Sequence, residues 1–258
     1  MLTVLQIPVR NPLRNYMYLL VCKESRRAIA IDPLDHALCL QKAREFNVQI
    51  DYVVNTHHHH DHIGGNAPVL EATGAKLAAH KQASKQIPDV AIGLSEGDVL
   101  EVGELQFNIL DTPGHTMSHV CLYFDGGSGE QPALFCGDTL FNAGVGRCDS
   151  GGDPEILFDT FSTQIFTLSD NVRIFPGHDY IENNLGFTLE YESNNTKAKE
   201  LLAQFQAGLD AESFVTTIGL EREINTFFRL QNNQIRTRLN THSDKETFVA
   251  LRQKRDRW

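Results

Sequence analysis

The sequence is poor in cysteine and has no long apolar run. Its five cysteines stand at positions 22, 39, 121, 136 and 148, and no two of them form a Cys-x-x-Cys pair. That pattern excludes a disulfide framework and a thiolate zinc site, so we expect reduced, buried thiols. No window approaches the length of apolar sequence that a membrane-spanning helix requires. The first residues lack a basic segment followed by an apolar run, so we expect no secretory signal and a cytoplasmic protein.

Basic residues are also scarce. Lysine and arginine together number 23 against 33 aspartates and glutamates, which gives a formal net charge of −10. This excess of negative charge disfavours general binding to nucleic acid or to an anionic membrane. We find no marked apolar stripe that would need a partner, and we therefore expect a monomer.

Short apolar runs alternate with turns and helical patterns over the first two-thirds of the chain. The runs typical of strands are Val4–Ile7, Tyr16–Val21, Ala28–Ile31, Tyr52–Val54, Leu105–Leu110, Val120–Phe124, Ala133–Cys136 and Val172–Phe175. The patterns typical of helices in the same region are Ala37–Phe46, Ala67–Ala72 and Glu155–Leu168.

Glycine and proline become rare after about residue 181. Helical spacing is seen at Ala198–Phe205 and Leu220–Leu230, and the capping box Ser243-x-x-Glu246 predicts the start of a last helix. We therefore predict a mixed α/β domain over residues 1–180 and a smaller helical domain over residues 181–258.

Histidine is strongly concentrated in one segment. Five of the eleven histidines lie between residues 57 and 62, directly after a predicted strand. If the extended geometry continues, His57 and His59 face the same way, and Asp61 and His62 follow at a turn. Imidazole and carboxylate form the ligand set of zinc, iron or manganese. The alternative is a tract that binds metal adventitiously, but such a tag is expected at a terminus.

Three later segments also present residues of the types that bind metals. They are Thr112-Pro113-Gly114-His115, Cys136-Gly137-Asp138 and Pro176-Gly177-His178. Any one of them would be weak, because a lone histidine at a turn is more often a surface residue. Together with the histidine run they predict a metal site. Water at such a site ionises near neutral pH and supplies a hydroxide nucleophile.

The order His-x-His-x-Asp-His, followed by a distant His, Asp and His, resembles the metallo-β-lactamase superfamily. The resemblance implies an α+β fold, a four-layer αβ/βα sandwich that here carries the smaller C-terminal α-helical domain. It implies three groups of ligands: His57, His59 and His115 for the first metal, Asp61, His62 and His178 for the second, and Asp138 as a bridge. We expect two divalent cations, zinc first, with iron or manganese as alternatives. His58 and His60 are not carried over as ligands, and His36, His80 and His242 are interpreted as surface or core residues.

Further stretches of the sequence restrict the resemblance to one family of this superfamily. They are Asn15–Leu19, Thr56–Gly65, Asp111–Thr116, Phe135–Phe141 with Gly144 and Gly146-Arg147, Pro176–Tyr180, Glu221–Arg229 and Leu251–Asp256. Over nearly the whole chain the sequence is similar to the glyoxalase II, or hydroxyacylglutathione hydrolase, family. The resemblance implies hydrolysis of S-(2-hydroxyacyl)glutathione thioesters, chiefly S-D-lactoylglutathione, to glutathione and D-lactate, the second step of methylglyoxal detoxification. It also implies a metal-bound hydroxide positioned by Asp61 and Asp138.

In that family a basic residue, a tyrosine and two C-terminal basic residues hold the glutathione moiety. The matching positions here are Arg147, Tyr180, Arg252 and Arg255. Arg252 and Arg255 share a face of the predicted last helix, and a guanidinium can bind a glutathione carboxylate in bidentate fashion. The alternative is an ordinary basic helix end that stabilises the helix dipole. Two departures stand out, since Asp149 replaces a frequent tyrosine and Arg255 a frequent lysine.

Four rival functions remain to be weighed. A true metallo-β-lactamase typically lacks the histidine at position 62 and carries cysteine at position 138. A persulfide dioxygenase with a single iron keeps much of the motif but lacks the long helical domain with paired arginines. A nuclease of the superfamily would need an extended basic surface, and a binding module would have lost ligands.

Overall fold

The computed structural model describes the backbone of residues 1–258 and every side chain except that of Ser128. The chain divides into two compact units, neither of which is continuous in sequence. The first comprises residues 1–112 and 118–137, and the second comprises residues 113–117 and 138–258.

The first unit is built from β-sheets with three helices. Its strands are β1 (Leu2–Pro8), β2 (Tyr16–Cys22), β3 (Arg27–Ile31), β4 (Gln49–Asn55), β5 (Lys76–His80), β6 (Ile92–Leu94), β7 (Val99–Val102), β8 (Leu105–Asp111), β9 (Val120–Phe124) and β10 (Ala133–Gly137). Its helices are α1 (His36–Glu45), α2 (His60–Ile63) and α3 (Asn66–Thr73). In the first sheet β1, β2 and β3 pair antiparallel, and β3 to β6 pair parallel. Strands β7 to β10 form an antiparallel meander.

Strand β2 reads as a continuous apolar run because both of its faces are covered. Met17 and Val21 lie in one buried cluster with Cys39 of α1. On the opposite face, the ring of Tyr18 meets the ring of Phe135 in β10, with centroids 5.8 Å apart. The first sheet therefore packs on helices with one face and on the meander with the other, which is the arrangement that favours apolar over alternating strands.

The parallel pairing of β3 with β4 determines where their carboxyl ends lie. Ile31 is opposite Val54 in this pairing, so both strands end at the same edge of the sheet. Asp32 follows the end of β3, and Thr56 follows the end of β4. The segment that contains the histidine run therefore begins beside Asp32.

The second unit is mainly helical. Its strands are β11 (Leu140–Phe141), β12 (Gly144–Val145), β13 (Arg173–Pro176) and β14 (Thr216–Thr217). Its helices are α4 (Pro154–Thr163), α5 (Ile181–Tyr191), α6 (Thr196–Gln206), α7 (Ile218–Ile224), α8 (Asn233–Leu239) and α9 (Asp244–Arg255). Strands β11 and β12 form a small hairpin, and β13 pairs antiparallel with β14. Sheets and helices together confirm the predicted α+β class.

The predicted start of the last helix is confirmed, because Ser243 and Glu246 form the complete capping box of α9. Phe248 of this helix packs on Phe158 and Phe161 of α4, with ring centroids 5.6 and 5.4 Å apart.

The prediction of one helix over Leu220–Leu230 is wrong in its second half. Helix α7 ends at Ile224, since Asn225 is extended, with φ −101° and ψ 116°. The Asn225 side chain instead accepts a hydrogen bond from the Phe227 N–H and starts a 3₁₀ turn over Thr226–Phe228. A short polar side chain that bonds to a nearby backbone group competes with helix in this way.

The five cysteines are buried, and none is in a disulfide. Burial raises the pKa of the Cys39 and Cys148 thiols to about 12. No helix in the described part of the chain combines the length and apolar composition that a membrane crossing needs.

Candidate metal centre

The histidine run places two imidazoles together immediately after β4. His57 is buried, and its Nε2 lies 3.1 Å from Nδ1 of His59, as expected from the extended backbone. His57 Nδ1 lies 3.0 Å from Oγ1 of Thr56, whose hydroxyl donates to Asp32. A hydroxyl that has donated its proton can only accept from the imidazole, so Nδ1 of His57 carries the proton. Nε2 of His57 is then available as a ligand atom.

The carboxylate of Asp32 orients this part of the site. It is 3% exposed, and it accepts hydrogen bonds from the Thr56 N–H at 2.9 Å and the Thr56 hydroxyl at 2.7 Å. It also accepts from Nδ1 of His62 at 2.9 Å. A carboxylate that binds one imidazole nitrogen leaves the other free for a metal, the usual support of a histidine ligand. Asp32 is therefore placed to hold His62 in the ligand tautomer.

Asp61 is held from the β1–β2 connection. Asn15 Nδ2 donates to both the backbone oxygen and Oδ2 of Asp61, each at 3.0 Å. Oδ2 of Asp61 lies 3.5 Å from Nε2 of His62. The two residues thus present a carboxylate oxygen and an imidazole nitrogen side by side.

The second unit presents the other three predicted ligands as a cluster of its own. Oδ2 of Asp138 lies 3.6 Å from Nε2 of His115 and 3.3 Å from Nε2 of His178. All three side chains are buried. Nδ1 of His115 donates to the Arg147 carbonyl at 2.6 Å, so its Nε2 is the nitrogen left for a metal. A carboxylate between two imidazoles fits the bridging role predicted for Asp138.

The turn that carries His115 is tight. Gly114 has φ 140°, and a side chain there would place its Cβ 2.4 Å from the Cα of Leu157 in α4. The hydroxyl of Thr160 donates to the Pro113 carbonyl at 2.6 Å from the same helix. Glycine is therefore required for this turn to lie against α4.

Comparison with known proteins shows the family to which the chain belongs. The sequence profile described as "Metallo-beta-lactamase superfamily" matches residues 20–178, and that described as "Hydroxyacylglutathione hydrolase C-terminus" matches residues 179–258. A hydroxyacylglutathione hydrolase of Nitrosococcus oceani is 47% identical, over 98% of both chains. The chain belongs to the hydroxyacylglutathione hydrolase family of the metallo-β-lactamase superfamily. The resemblance predicted from the sequence is thus confirmed.

Other relatives and solved structures support the family and its fold. A hydroxyacylglutathione hydrolase of a Polaromonas species is 49% identical, over 96% of this chain and 97% of its own. The "Hydroxyacylglutathione hydrolase cytoplasmic" of Arabidopsis thaliana is 31% identical, over 95% of both chains. The crystal structure of ETHE1 from Myxococcus xanthus superposes with a TM-score of 0.69 at 26% identity, covering 98% of both chains.

The family positions expected to hold glutathione all lie in the second unit. Arg147 is exposed and makes a bidentate ion pair with Asp149, in which Nε donates at 2.6 Å. Asp149, which stands where the family often has tyrosine, thus binds the guanidinium of Arg147. The hydroxyl of Tyr180 lies 3.2 Å from Nδ1 of His178, and the two rings stack with centroids 5.0 Å apart.

The two C-terminal arginines differ in exposure and in partners. Arg255 is partly buried and donates from Nε and Nη2 to Oδ1 of Asn184, at 3.2 and 3.1 Å. Desolvation lowers the pKa of Arg255 to about 10. Arg252 is 3% exposed, and its Nη1 donates to the carbonyls of Val145 and Gly146. The shared helical face predicted from the spacing does not give them the same surroundings.

The sequence reasoning missed three residues of the site. Asp32 and Asn15 support His62 and Asp61 as described above, and His119 is fully buried with its ring stacked on that of His57, centroids 5.2 Å apart. Nδ1 of His119 lies 2.9 Å from the Thr112 hydroxyl. Asp32 could have been found from the sequence, because it directly follows Ala28–Ile31, the predicted strand that precedes the histidine-bearing one along the chain. His119 carries no comparable signal. His80 is buried, as expected for a core histidine.

Proposed function

We propose that this chain hydrolyses the thioester bond of S-(2-hydroxyacyl)glutathione, chiefly S-D-lactoylglutathione, and releases glutathione and D-lactate. The observation that carries the proposal is the match along almost the whole chain to hydroxyacylglutathione hydrolases, 47% identical over 98% of both chains for one of them. The two sets of buried or half-buried ligand-type residues in family order support it. The reaction would be the second step of methylglyoxal detoxification.

We propose that the site holds two divalent cations and that zinc is the preferred metal at both positions. His57, His59 and His115 would bind the first, Asp61, His62 and His178 the second, and Asp138 would bridge them. The donor set fits, because Nδ1 of His57, His62 and His115 is in each case engaged by a polar group, which makes Nε2 the nitrogen that would bind a metal. When bound, such cations lower the pKa of water and polarise a carbonyl oxygen.

The carboxylates of Asp61 and Asp138 would orient the attacking water by accepting hydrogen bonds from it. They would also take up the proton that the water loses on attack. The water oxygen bonds to the thioester carbonyl carbon, the carbon–sulfur bond breaks, and glutathione leaves as its thiolate. A side-chain nucleophile is not needed. Cys148 is poorly suited to that role, since burial raises the pKa of its thiol to about 12.

The glutathione moiety carries two carboxylates, which require cationic or hydroxyl partners. We assign this role to Arg147, Tyr180, Arg252 and Arg255, all in the second unit. Arg147 would exchange Asp149 for a substrate carboxylate, which is feasible because its present ion pair is solvent-exposed and weak. The guanidinium of Arg252 is also bound to two carbonyls and to Asp256, so its role includes contacts within the protein.

We also place the enzyme in the cytoplasm and expect it to act as a monomer on a small molecule, without nucleic acid or membrane partners. The five buried cysteines outside disulfides agree with a reducing compartment. The net charge of −10 agrees with the absence of a polyanionic partner.

A direct test compares three substrates and counts metals on the purified protein. We expect about two transition metals per chain, as in a two-metal hydrolase. We also expect rapid hydrolysis of S-D-lactoylglutathione, and little or no activity on a cephalosporin or in oxygen-dependent oxidation of glutathione persulfide. One tightly bound iron with persulfide oxidation would overturn the proposal in favour of a dioxygenase.

A single-turnover reaction in ¹⁸O-water tests the nucleophile. Attack by water places one labelled oxygen directly in the lactate, and intact-protein mass spectrometry should detect no acylated chain. A trapped lactoyl-protein adduct would contradict the mechanism while leaving the substrate assignment intact.

A further inference from the structure

The guanidinium of Arg252 holds a piece of backbone rather than facing open solvent. Nη1 donates to the Val145 carbonyl at 2.7 Å and to the Gly146 carbonyl at 3.2 Å. Nε and Nη2 bond to Oδ1 of Asp256, at 3.1 and 2.9 Å, which orients the fork from the other side. The side chain is 4% exposed, so these contacts are made in a site from which water is excluded.

The backbone that Arg252 holds continues directly to a candidate metal ligand. The next carbonyl along the chain, that of Arg147, accepts the proton of His115 Nδ1 at 2.6 Å. Because a carbonyl can only accept, this bond requires the Nδ1–H tautomer and leaves Nε2 of His115 as the ligand atom. The position of the Arg147 carbonyl therefore controls both the orientation and the tautomer of His115.

The same backbone lies directly against the carboxylate-bearing segment. A Cβ added at Gly146 would lie 1.8 Å from the Asp138 carbonyl oxygen and 3.0 Å from Nδ1 of His115. Such close packing means that a shift of residues 145–147 by a fraction of an ångström is transmitted to both His115 and Asp138.

The other end of the hairpin β11–β12 is held by neutral and acidic groups. Glu221 accepts from the Ala143 N–H at 2.9 Å, and Asn225 donates to the Gly144 carbonyl at 3.2 Å. Arg252 therefore holds the end of this hairpin that is followed by Arg147, whose carbonyl binds His115. Its contacts add to the hydrogen bonds that Glu221 and Asn225 make with the hairpin backbone.

We propose that Arg252 is a positioning residue for the metal centre. It holds the carbonyls of Val145 and Gly146 so that the Arg147 carbonyl keeps His115 in the ligand tautomer. This role is in addition to the glutathione binding proposed for Arg252, and it rests on the proposed metal-dependent function. Arg255, whose guanidinium donates to Asn184, is assigned to glutathione alone.

The test compares Arg252→Ala and Arg252→Lys with Lys254→Ala, which removes an exposed positive charge from the same helix. Zinc affinity is measured by competition with a chromophoric chelator, and the Co²⁺-substituted proteins are compared by visible absorption. Loss of a partner that orients a metal ligand typically costs 10–100-fold in metal affinity, and we expect that loss in both Arg252 variants. Lysine should not restore affinity, because an ammonium cannot reproduce the planar fork that holds two carbonyls and Asp256. Lys254→Ala should retain wild-type affinity and an unchanged cobalt spectrum.

Kinetics separate this role from substrate binding. In the Arg252 variants, kcat should fall by the same factor for S-D-lactoylglutathione and for a small thioester without glutathione, with little change in KM for the small thioester. Arg252 variants that keep wild-type zinc affinity and raise KM for the glutathione thioester alone would overturn the proposal. So would variants that are less stable but have unchanged zinc affinity. Should Arg255→Ala leave KM for S-D-lactoylglutathione unchanged, the glutathione assignment would fail, while the zinc-affinity result for Arg252 would stand on its own. If Arg252→Ala does not fold, the lysine variant decides, because it keeps the buried stem and the charge.

Discussion

Replacing Asp32 by asparagine removes a single negative charge while keeping the shape of the side chain. The retained amide oxygen can still accept from the Thr56 N–H, which now binds Oδ1 of Asp32 at 2.9 Å. The NH₂ group takes the place of Oδ2, which accepts from the Thr56 hydroxyl at 2.7 Å and from His62 Nδ1 at 2.9 Å. The NH₂ group of the asparagine would then face two other donors, the Thr56 hydroxyl and Nδ1 of His62.

The two contacts at Oδ2 respond differently to this change. The Thr56 hydroxyl can rotate and accept from the new amide, so most of its bond is recovered. His62 can pair only by moving its proton from Nδ1 to Nε2, which is the nitrogen needed for the metal. Loss of a hydrogen bond to a charged group costs about 1.5–3 kcal/mol, so the metal-free protein should lose about that much stability. Zinc affinity should fall by about 10–100-fold.

Urea unfolding of the metal-free proteins and zinc competition with a chelator measure the two effects. Asp125→Asn is the matched control, because Asp125 is exposed and its single acceptor bond to the Gly127 N–H survives in an asparagine. The reasoning is refuted if Asp32→Asn binds zinc as tightly as the wild type, whatever its stability. A loss of stability alone would mean that Asp32 supports the loop but does not set the His62 tautomer.

Three further predictions concern burial and capping. Burial raises the pKa of Glu221 to about 7, whereas the unfolded chain releases this proton at about 4.3, so the free energy of unfolding should fall by about 3 kcal/mol between pH 5 and pH 8. Urea unfolding at pH 5 and pH 8 should show this fall in the wild type, and an equal fall in Glu221→Gln would contradict it. Ser243→Ala should lower the free energy of unfolding by about 1 kcal/mol through loss of the α9 cap, while Ser162→Ala, on an exposed face of α4, should change it far less. Iodoacetamide at pH 8 should alkylate Cys148 much more slowly in the folded than in the urea-unfolded protein, since its thiol pKa is raised to about 12; equal rates by intact mass would count against that burial.

Periodicity and strand-end composition predicted much of the fold and the ligand types. Strand β2 was predictable from the sequence because a run buried on both faces is apolar throughout. The start of α9 was predictable because a capping box is a local interaction. The end of α7 was not, since its residues continue an apolar helical pattern and only the local competition of the Asn225 side chain ends it.

The supporting residues of the site could not be predicted in the same way. The strand end before Asp32 marks it as a candidate, but its contact with His62 and that of Asn15 with Asp61 join residues far apart in sequence, and such contacts leave no periodic signal. The spacing of Arg252 and Arg255 placed them on one helical face. It could not indicate that one is 3% exposed and bound to carbonyls more than 100 positions earlier in the chain.

The composition of the second unit has a consequence for biosynthesis. His115, Asp138 and His178 belong to the same compact unit as helices α5 to α9, and the backbone beside two of these candidate ligands is bound by Arg252. The candidate ligands are synthesised well before the helix that carries Arg252. We therefore expect nascent chains to bind metal weakly until α9 has emerged and docked, so that metal loading is one of the last events in the maturation of this enzyme.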